Sequence, residues 1–189
     1  MTVRVRAATE SDGHAVGALH AASWRYAYRG ALSDEYLSGD VELDRMQLWK
    51  NRLAEPSDRQ HLLLAEDVGR LLGFVCFYGS ESEEWGSYLN NIHVAQAAQG
   101  LGIGRLLLHS AAELCANTYP GGIYLWVLQS NTSAQGFYAR YGGRNTGADV
   151  WEAPGGTSAP IFRFSWGNIG QLREATANPS FQRTAFGGR

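Results

Sequence analysis

Three glycines at alternate positions, Gly100, Gly102 and Gly104, join a segment rich in β-forming residues to a segment with helical periodicity. The first segment, residues 87–94, predicts a strand, and the second, residues 105–118, predicts a helix. Glycines let the backbone approach a ligand closely, and amides at the start of a helix favour a negatively charged group. We therefore predict a strand–loop–helix unit that binds an anion. A tight turn with close packing is the alternative interpretation.

Two common phosphate-binding motifs do not fit this loop. A P-loop needs a lysine and a hydroxyl residue after its last glycine, whereas Gly104 is followed by Arg105 and Leu106. The dinucleotide-binding fingerprint has the spacing GxGxxG, whereas the spacing here is GxGxG. That fingerprint also needs an acidic residue about 20 residues later, where residues 121–125 read Gly-Gly-Ile-Tyr-Leu. The loop therefore predicts anion binding without identifying the anion.

Hydrophobic periodicity along the rest of the chain predicts a mixed α/β protein. Strand and helix patterns alternate after residue 87, which favours a parallel strand pair, and hairpin patterns on either side favour antiparallel pairs. Helices are expected on both faces of such a sheet. The predicted strands cover residues 2–6, 61–66, 71–78, 87–94, 123–128, 146–152 and 160–166, with a polar loop at residues 79–84.

Length, charge and cysteine content exclude several other classes of protein. With 189 residues, the chain can form a substantial hydrophobic core without disulfides or metals. We predict one domain at residues 1–166 and a loosely structured tail at residues 167–189, where no periodicity is found. The formal net charge of -2 and the dispersed lysines and arginines argue against nucleic acid as a partner. Cys76 and Cys115 lie in apolar segments, which favours buried free thiols over a disulfide or a zinc site.

Membrane and secretion signals are not found in the sequence. No apolar run reaches the roughly 20 residues that a membrane-spanning helix needs. The first ten residues lack the uninterrupted apolar region of a signal peptide. We therefore expect a cytoplasmic protein without a membrane partner.

Two segments, residues 99–104 and 130–143, resemble the signatures of one superfamily. Gln99, Gly102 and Gly104 fit the pattern Gln/Arg-x-x-Gly-x-Gly/Ala, and residues 131–142 fit Asn-x-x-Ala-x-x-Phe-Tyr-x-x-x-Gly. Both patterns occur in this order in the GNAT superfamily of acyl-CoA-dependent N-acyltransferases. The resemblance is strong over residues 86–143 and weak before them.

The resemblance implies a fold and a co-substrate. The expected fold is a mixed, mostly antiparallel central sheet of about seven strands, with a splayed parallel pair and helices on both faces. Acetyl-CoA is the expected co-substrate, with its pyrophosphate on the amides of the glycine loop and its pantetheine arm along the strand that ends at Val94. No metal is implied. The residues expected to bind the cofactor are Ile92, His93, Val94, Gln99, Gly100, Leu101, Gly102, Ile103, Gly104, Arg105, Asn131 and Tyr138.

Two residues are expected to act in acyl transfer. In the resembling family, the backbone N–H at the position of Val94 polarises the thioester carbonyl, and a tyrosine at the position of Tyr138 protonates the leaving thiolate. The reference pKa values of a phenol and a thiol, about 10 and about 8.5, permit this transfer. A core aromatic at helical spacing from Tyr141 is the alternative interpretation of Tyr138. Asn131 is expected to cap its helix and also to contact CoA.

The general base is left open by the sequence. Many relatives carry a glutamate five residues before the asparagine, but Trp126 occupies that position here. His93 titrates near neutrality, yet strand alternation points its side chain away from the face of Ile92 and Val94. The other candidates are loop acids and a water held by an asparagine pair: Glu81, Glu83, Glu84, Asn90 and Asn91.

The amine acceptor is expected between the first helices and the loop that enters the strand of residues 87–94. Aromatic and acidic residues there favour a cationic small-molecule or peptide amine, although core packing explains many of the aromatics equally well. Homodimers through the last strands are common in this family. A non-catalytic acyl-CoA-binding or sensing domain is the alternative to an N-acetyltransferase. The expected acceptor-binding residues are Trp24, Tyr28, Glu84, Tyr88 and Asn90.

Overall fold

A seven-stranded sheet organises residues 2–177, the part of the chain that the computed structural model describes. The strands lie side by side in the order β1-β2-β3-β4-β5-β7-β6, and only β4 and β5 are parallel. This confirms the predicted mixed, mostly antiparallel sheet with a parallel pair. The strands are β1 (Arg4–Ala7), β2 (Gln60–Asp67), β3 (Arg70–Ser82), β4 (Gly86–Val94), β5 (Ile123–Leu128), β6 (Arg144–Glu152) and β7 (Ser158–Trp166).

Helices cover both faces of this sheet. The helices are α1 (Gly13–Ala27), α2 (Asp34–Ser38), α3 (Val41–Ala54), α4 (Ile103–Thr118), α5 (Thr132–Arg140) and α6 (Ile169–Thr176). Strand β3 shows the two-sided packing because its side chains alternate between the faces. Val75 and Phe77 belong to the hydrophobic cluster that includes α4 and α6, whereas Phe74 and Cys76 pack with Trp49 of α3.

Helices α1 and α3 are in close contact at Gly17. A Cβ atom at this position would lie 2.6 Å from the Cα atom of Met46 in α3, so a larger residue would push the two helices apart. The contact brings the following turn of α1, with His20 and Trp24, next to Arg45 of α3. These three residues line the cavity described below.

Strand β4 contains a bulge at Asn90. Asn91 pairs with Cys76 and Leu89 pairs with Phe77, so Asn90 has no partner residue on β3. Neighbouring side chains in a regular strand point to opposite faces, and a bulge removes that constraint. As a result, the carboxamide oxygens of Asn90 and Asn91 both accept a hydrogen bond from Nη1 of Arg52, at 3.0 and 3.3 Å.

The prediction of a loosely structured tail is wrong for its first residues. Helix α6 occupies Ile169–Thr176, and Asn168 caps it by accepting a hydrogen bond from the N–H of Gly170 at 2.7 Å. Ile169 and Leu172 join the hydrophobic cluster against α4, and Leu172 is fully buried. Two apolar side chains are too few to produce a detectable helical period in the sequence. The rest of the predicted tail, residues 178–189, lies outside the described residues.

Two shorter differences concern the middle of the chain. The predicted polar loop at residues 79–84 is mostly strand, because β3 continues to Ser82 and pairs again with Gly86. The connection is therefore a tight turn at residues 83–85, followed by Gly86 at φ +80°. The sequence analysis also missed the five-residue helix α2, which Ser33 caps by accepting a hydrogen bond from the N–H of Tyr36.

Three further properties of residues 2–177 bear on function. Cys76 and Cys115 are buried free thiols. No group of three or more histidine, cysteine or acidic side chains in this range could hold a metal ion. None of the helices in this range is long and apolar enough to cross a membrane.

Candidate active site

Strands β4 and β5 separate shortly after they meet. Their parallel pairing consists of two residue pairs, Ser87 with Ile123 and Tyr88 with Tyr124. Beyond these pairs, the rest of β4 up to Val94 and the rest of β5 up to Leu128 have no ladder partner on this side. The predicted splay of the parallel pair is therefore present, and it leaves backbone amides and carbonyls of both strands available to a ligand.

The glycine loop follows β4 directly. A short 3₁₀ turn at Gln96–Ala98 leads into Gly100 at φ +76° and Gly102 at φ +80°, and Gly102 is the N-cap of α4. Left-handed backbone of this kind favours glycine strongly over other residues. The first amides of α4 have no partner within the helix, and the helix dipole favours an anion there. Gln99, Gly100 and Leu101 are exposed, whereas the Ile103 side chain is buried and anchors the loop in the core.

Three elements of the predicted cofactor site meet at Gly104. A Cβ atom on Gly104 would lie 3.4 Å from Cζ of Phe137 in α5 and 3.7 Å from Cγ2 of Val94 in β4. The side chains of Ile92 and Val94 lie against the hydrophobic cluster beneath α4. The structure therefore brings the glycine loop, the end of β4 and α5 together, as the two sequence signatures predicted.

Helix α5 carries Asn131 at its start and Tyr138 in its last turn. The side-chain oxygen of Asn131 accepts a hydrogen bond from the N–H of Ala134 at 3.0 Å, which confirms the predicted cap. The ring of Tyr138 is 7% exposed and packs against Phe164 and Trp166. Within residues 2–177, the Tyr138 hydroxyl makes no hydrogen bond. Burial, with a smaller effect from Tyr28, raises the pKa of Tyr138 well above 10, so this phenol remains protonated at neutral pH.

A cavity of about 560 Å³ lies between the first helices and strands β4 to β7. Five of the sixteen residues that line it are tryptophans or tyrosines, and two arginines of α3 contribute positive charges. Burial raises the pKa of Tyr28 to about 12, with the nearby Tyr88 adding to the shift. The residues that line it are His20, Trp24, Tyr28, Arg45, Leu48, Arg52, Tyr88, Asn90, Asn91, Trp126, Leu128, Trp151, Glu152, Ala153, Pro154 and Ile161.

The structure brings together four of the five expected acceptor-binding residues. Trp24, Tyr28, Tyr88 and Asn90 line the cavity. Glu84 does not, because it sits exposed in the tight turn between β3 and β4. The carboxylate of the cavity belongs instead to Glu152 at the end of β6, whose two oxygens accept hydrogen bonds from the Ser158 hydroxyl.

Sequence reasoning missed several residues of this cavity. Arg45 and Arg52 share one face of α3, and their heptad spacing was a usable signal for a common surface. Trp151 and Glu152 reach the cavity because β7 pairs with β5 and so places the β6–β7 hairpin in the sheet, a pairing that no local pattern reveals. The missed residues change the expected charge of the cavity from acidic to mixed.

His93 lies on the opposite face of β4 from Ile92 and Val94. Its Nδ1 atom is 2.8 Å from the Ser23 hydroxyl, and its ring lies 4.5 Å from the ring of His20. Burial, together with a smaller effect from Arg45, lowers the pKa of His93 to about 3. The His93 ring faces α1 and Ser23, and its low pKa makes it a weak proton acceptor.

A comparison with known families agrees with this geometry. The family model described as "Acetyltransferase (GNAT) family" matches residues 19–143, which include the glycine loop and α5. The chain belongs to the GNAT acetyltransferase family. The matched segment ends before β6, so Trp151 and Glu152 of the cavity wall lie outside the part that this GNAT acetyltransferase shares with the family model.

Individual relatives support the family assignment over most of their length. The uncharacterized N-acetyltransferase YuaI of Bacillus subtilis is 28% identical over 155 residues, which cover 81% of this chain and 87% of that protein. The probable N-acetyltransferase Rv2775 of Mycobacterium tuberculosis is 28% identical over 142 residues, or 73% and 78% of the two chains. The crystal structure of the PaiA N-acetyltransferase of Thermoplasma acidophilum, in complex with coenzyme A, shares the fold. Its TM-score is 0.67 at 18% identity, over 88% of this chain and 100% of that one.

Proposed function

We propose that this GNAT protein transfers the acetyl group of acetyl-CoA directly to a primary amine, and that Tyr138 protonates the leaving thiolate. The observation that carries the proposal is the separation of β4 from β5 beside the glycine loop. Tyr138 belongs to the same hydrophobic cluster as Val94, Leu125 and Val127 of the two separating strands. Tyr138 also interacts electrostatically with Tyr28, a residue of the cavity wall, which supports Tyr138 as an acid beside the amine site.

The backbone around the splay is suited to the two ends of CoA. The amides of residues 100–105 would hold the pyrophosphate with the help of the α4 dipole, so little side-chain charge is needed. The free edge of β4 would pair with the amides of the pantetheine arm, and the Val94 N–H would polarise the thioester carbonyl. Asn131 would contact CoA while it caps α5.

Two protons move in the proposed reaction, one to the leaving thiolate and one from the amine. The amine nitrogen forms a bond to the acetyl carbon, the bond from that carbon to sulfur breaks, and the thiolate takes the Tyr138 proton. The amine loses a proton, and Glu152 is the carboxylate of the cavity wall that can accept it. A raised pKa keeps Tyr138 protonated until the thiolate forms.

The state of the cysteines supports direct transfer without an acyl-enzyme. Burial raises the pKa of Cys76 to about 12 and also raises the pKa of Cys115. A thiol that stays protonated is a poor nucleophile. Neither residue lines the cavity.

The test is amine-dependent thiol release by Tyr138→Phe, with polyamines, aminoglycosides, amino acids and peptide N-termini as acceptors. Loss of general-acid catalysis should lower kcat by about 100-fold or more while the KM for acetyl-CoA stays near the wild-type value. Tyr141→Phe removes a hydroxyl next to the end of the same helix and should keep full activity. Equal kcat for wild type and Tyr138→Phe would remove Tyr138 from the mechanism. Saturable CoA binding without release for any amine would instead identify a binding or sensing domain.

A further inference from the structure

Three buried side-chain polar atoms within residues 2–177 have no hydrogen-bond partner. They are Nε2 of His20, Nε1 of Trp24 and Nε of Arg45. All three residues are at least nine-tenths buried, and all three line the cavity. Buried polar groups in proteins almost always have a partner, so three exceptions in one cavity wall indicate a ligand site.

All three of these atoms are hydrogen-bond donors. The indole and guanidinium nitrogens can only donate. In His20, Nδ1 accepts a hydrogen bond from Nε1 of Trp49 at 2.9 Å, so the proton of the neutral ring is on Nε2. Burial lowers the pKa of His20 well below 6.5, which keeps the ring neutral.

The three donors are close neighbours. The rings of His20 and Trp24 meet edge to face with their centroids 4.8 Å apart. The guanidinium carbon of Arg45 lies 4.3 Å from the centroid of the Trp24 ring. Asp44 fixes the position of Arg45 by accepting a hydrogen bond from its Nη2 at 2.8 Å, and Asp44 in turn accepts one from the Tyr36 hydroxyl.

A second arginine adds positive charge to the same cavity. Arg52 donates to the side chains of Asn90 and Asn91, and it forms no ion pair within residues 2–177. The carboxylate of Glu152 belongs to the part of the wall that β6 contributes. The part of the wall formed by α1 and α3 thus carries hydrogen-bond donors and arginine side chains. These groups favour a ligand that accepts hydrogen bonds and has a negative charge.

We infer that the amine acceptor is an amino acid with an apolar or aromatic side chain, whose carboxylate binds the donors of His20, Trp24 and Arg45. This inference rests on the proposed function and names its acceptor class. An amino acid replaces the cationic amine that the sequence suggested as acceptor. The acidic residues on which that suggestion rested, Glu81, Glu83 and Glu84, do not line the cavity. The aromatic rings of Tyr28, Trp126 and Trp151 provide the surface for the side chain.

The first experiment compares matched acceptors. Thiol release at saturating acetyl-CoA is measured for phenylalanine, tryptophan, leucine and methionine, and for the amide and the decarboxylated amine of each. At least one amino acid should have a kcat/KM about 10-fold or more above both of its analogues, because they leave the buried donors unpaired. If the amides and amines react as well as the acids, the inference is wrong while the acetyltransferase activity stands.

A binding measurement covers the case in which no amine of either set is acetylated, which would count against the proposed function. Quenching of tryptophan fluorescence is then titrated with N-acetylphenylalanine and with its amide in the presence of CoA. Tighter binding of the acid would support the carboxylate site. Equal binding, or no binding of the acid, would overturn it.

Two variants test the residues themselves. Trp24→Phe removes one donor and keeps an aromatic ring, and Arg45→Gln removes the charge. Each should raise the KM for the amino acid about 10-fold and leave the KM for its amide and for acetyl-CoA unchanged. Arg25→Gln is the matched control, since Arg25 pairs with Glu42 and does not line the cavity. If the KM for the amino acid and the KM for its amide rise equally in a variant that folds normally by circular dichroism, the inference is contradicted. If Arg45→Gln does not fold, the result for Trp24→Phe decides.

Discussion

At Gly104 the fold itself leaves room for a side chain. The backbone angle φ of this residue is not positive, and a Cβ atom would make only ordinary van der Waals contacts with Phe137 and Val94. The sequence pattern required a small residue here for the sake of the ligand. A glycine that packing does not need supports the proposed anion site.

Gly104→Leu should weaken CoA binding without weakening the fold, whereas alanine is accepted at this position by the sequence pattern. The added isobutyl group would occupy space at the first turn of α4, where the cofactor must approach the amides, so the Kd for CoA should rise at least several-fold. Removing a helical glycine should leave the free energy of unfolding unchanged or raise it by up to about 1 kcal/mol. Isothermal titration with CoA and urea unfolding measure the two effects.

Gly136→Leu in the middle of α5 is the control for this substitution. A Cβ atom there would meet no atom within 4 Å, so the same gain in helix stability is expected with an unchanged Kd for CoA. If both variants bind CoA like wild type, the glycine loop does not hold the cofactor at Gly104.

At the scale of the elements, the question is whether helix α6 belongs to the folded domain. Leu172 is fully buried against α4, and the Thr176 hydroxyl lies 3.0 Å from Nδ1 of His109 in α4. Leu172→Ala should lower the free energy of unfolding by about 2–5 kcal/mol, because it leaves a cavity in the main cluster. Gln171→Ala changes an exposed residue of the same helix and should alter this free energy by no more than about 0.5 kcal/mol. If the two variants have the same free energy of unfolding in urea, α6 is not part of the domain.

The elements also show what sequence patterns can and cannot predict. The strands and α4 were predicted closely because their periodicity is strong over many residues. The short helices α2 and α6 were missed because each presents two or three buried residues. For the site, the glycine loop and the Asn131 cap follow from local motifs. Glu152 does not, because the pairing of β7 with β5, which is distant in the chain, brings the β6–β7 hairpin to the cavity.

For the whole molecule, two buried histidines predict sensitivity to acid. His20 and His93 are neutral in the fold, and burial next to Arg45 and Arg52 lowers their pKa values, that of His93 to about 3. The unfolded chain binds protons below pH about 6.5, whereas the fold does not. The free energy of unfolding should therefore be constant above pH 6.5 and fall as the pH drops toward 3, by at most about 1.4 kcal/mol per pH unit for each histidine.

Urea unfolding at pH 7.5, 6.0 and 5.0 measures this dependence. His93→Gln should be less stable at pH 7.5 but should show a shallower fall toward pH 5.0, since one titrating group is removed. His14→Gln changes an exposed histidine and should keep the wild-type slope. If the free energy of unfolding of the wild type does not change from pH 7.5 to 5.0, His20 and His93 are not both neutral and buried in the fold.

The separation of β4 from β5 also gives this sheet four edges instead of two. The outer edges are β1 and β6, and the other two face each other inside the molecule, beyond Tyr88 and Tyr124. Exposed edges of a sheet tend to recruit strands from other proteins. Here the two inner edges converge to a closed end, so a flat sheet cannot align beside them, while a thin chain with amides can enter from the open end. The same geometry that admits a ligand thus guards the protein against aggregation through these edges.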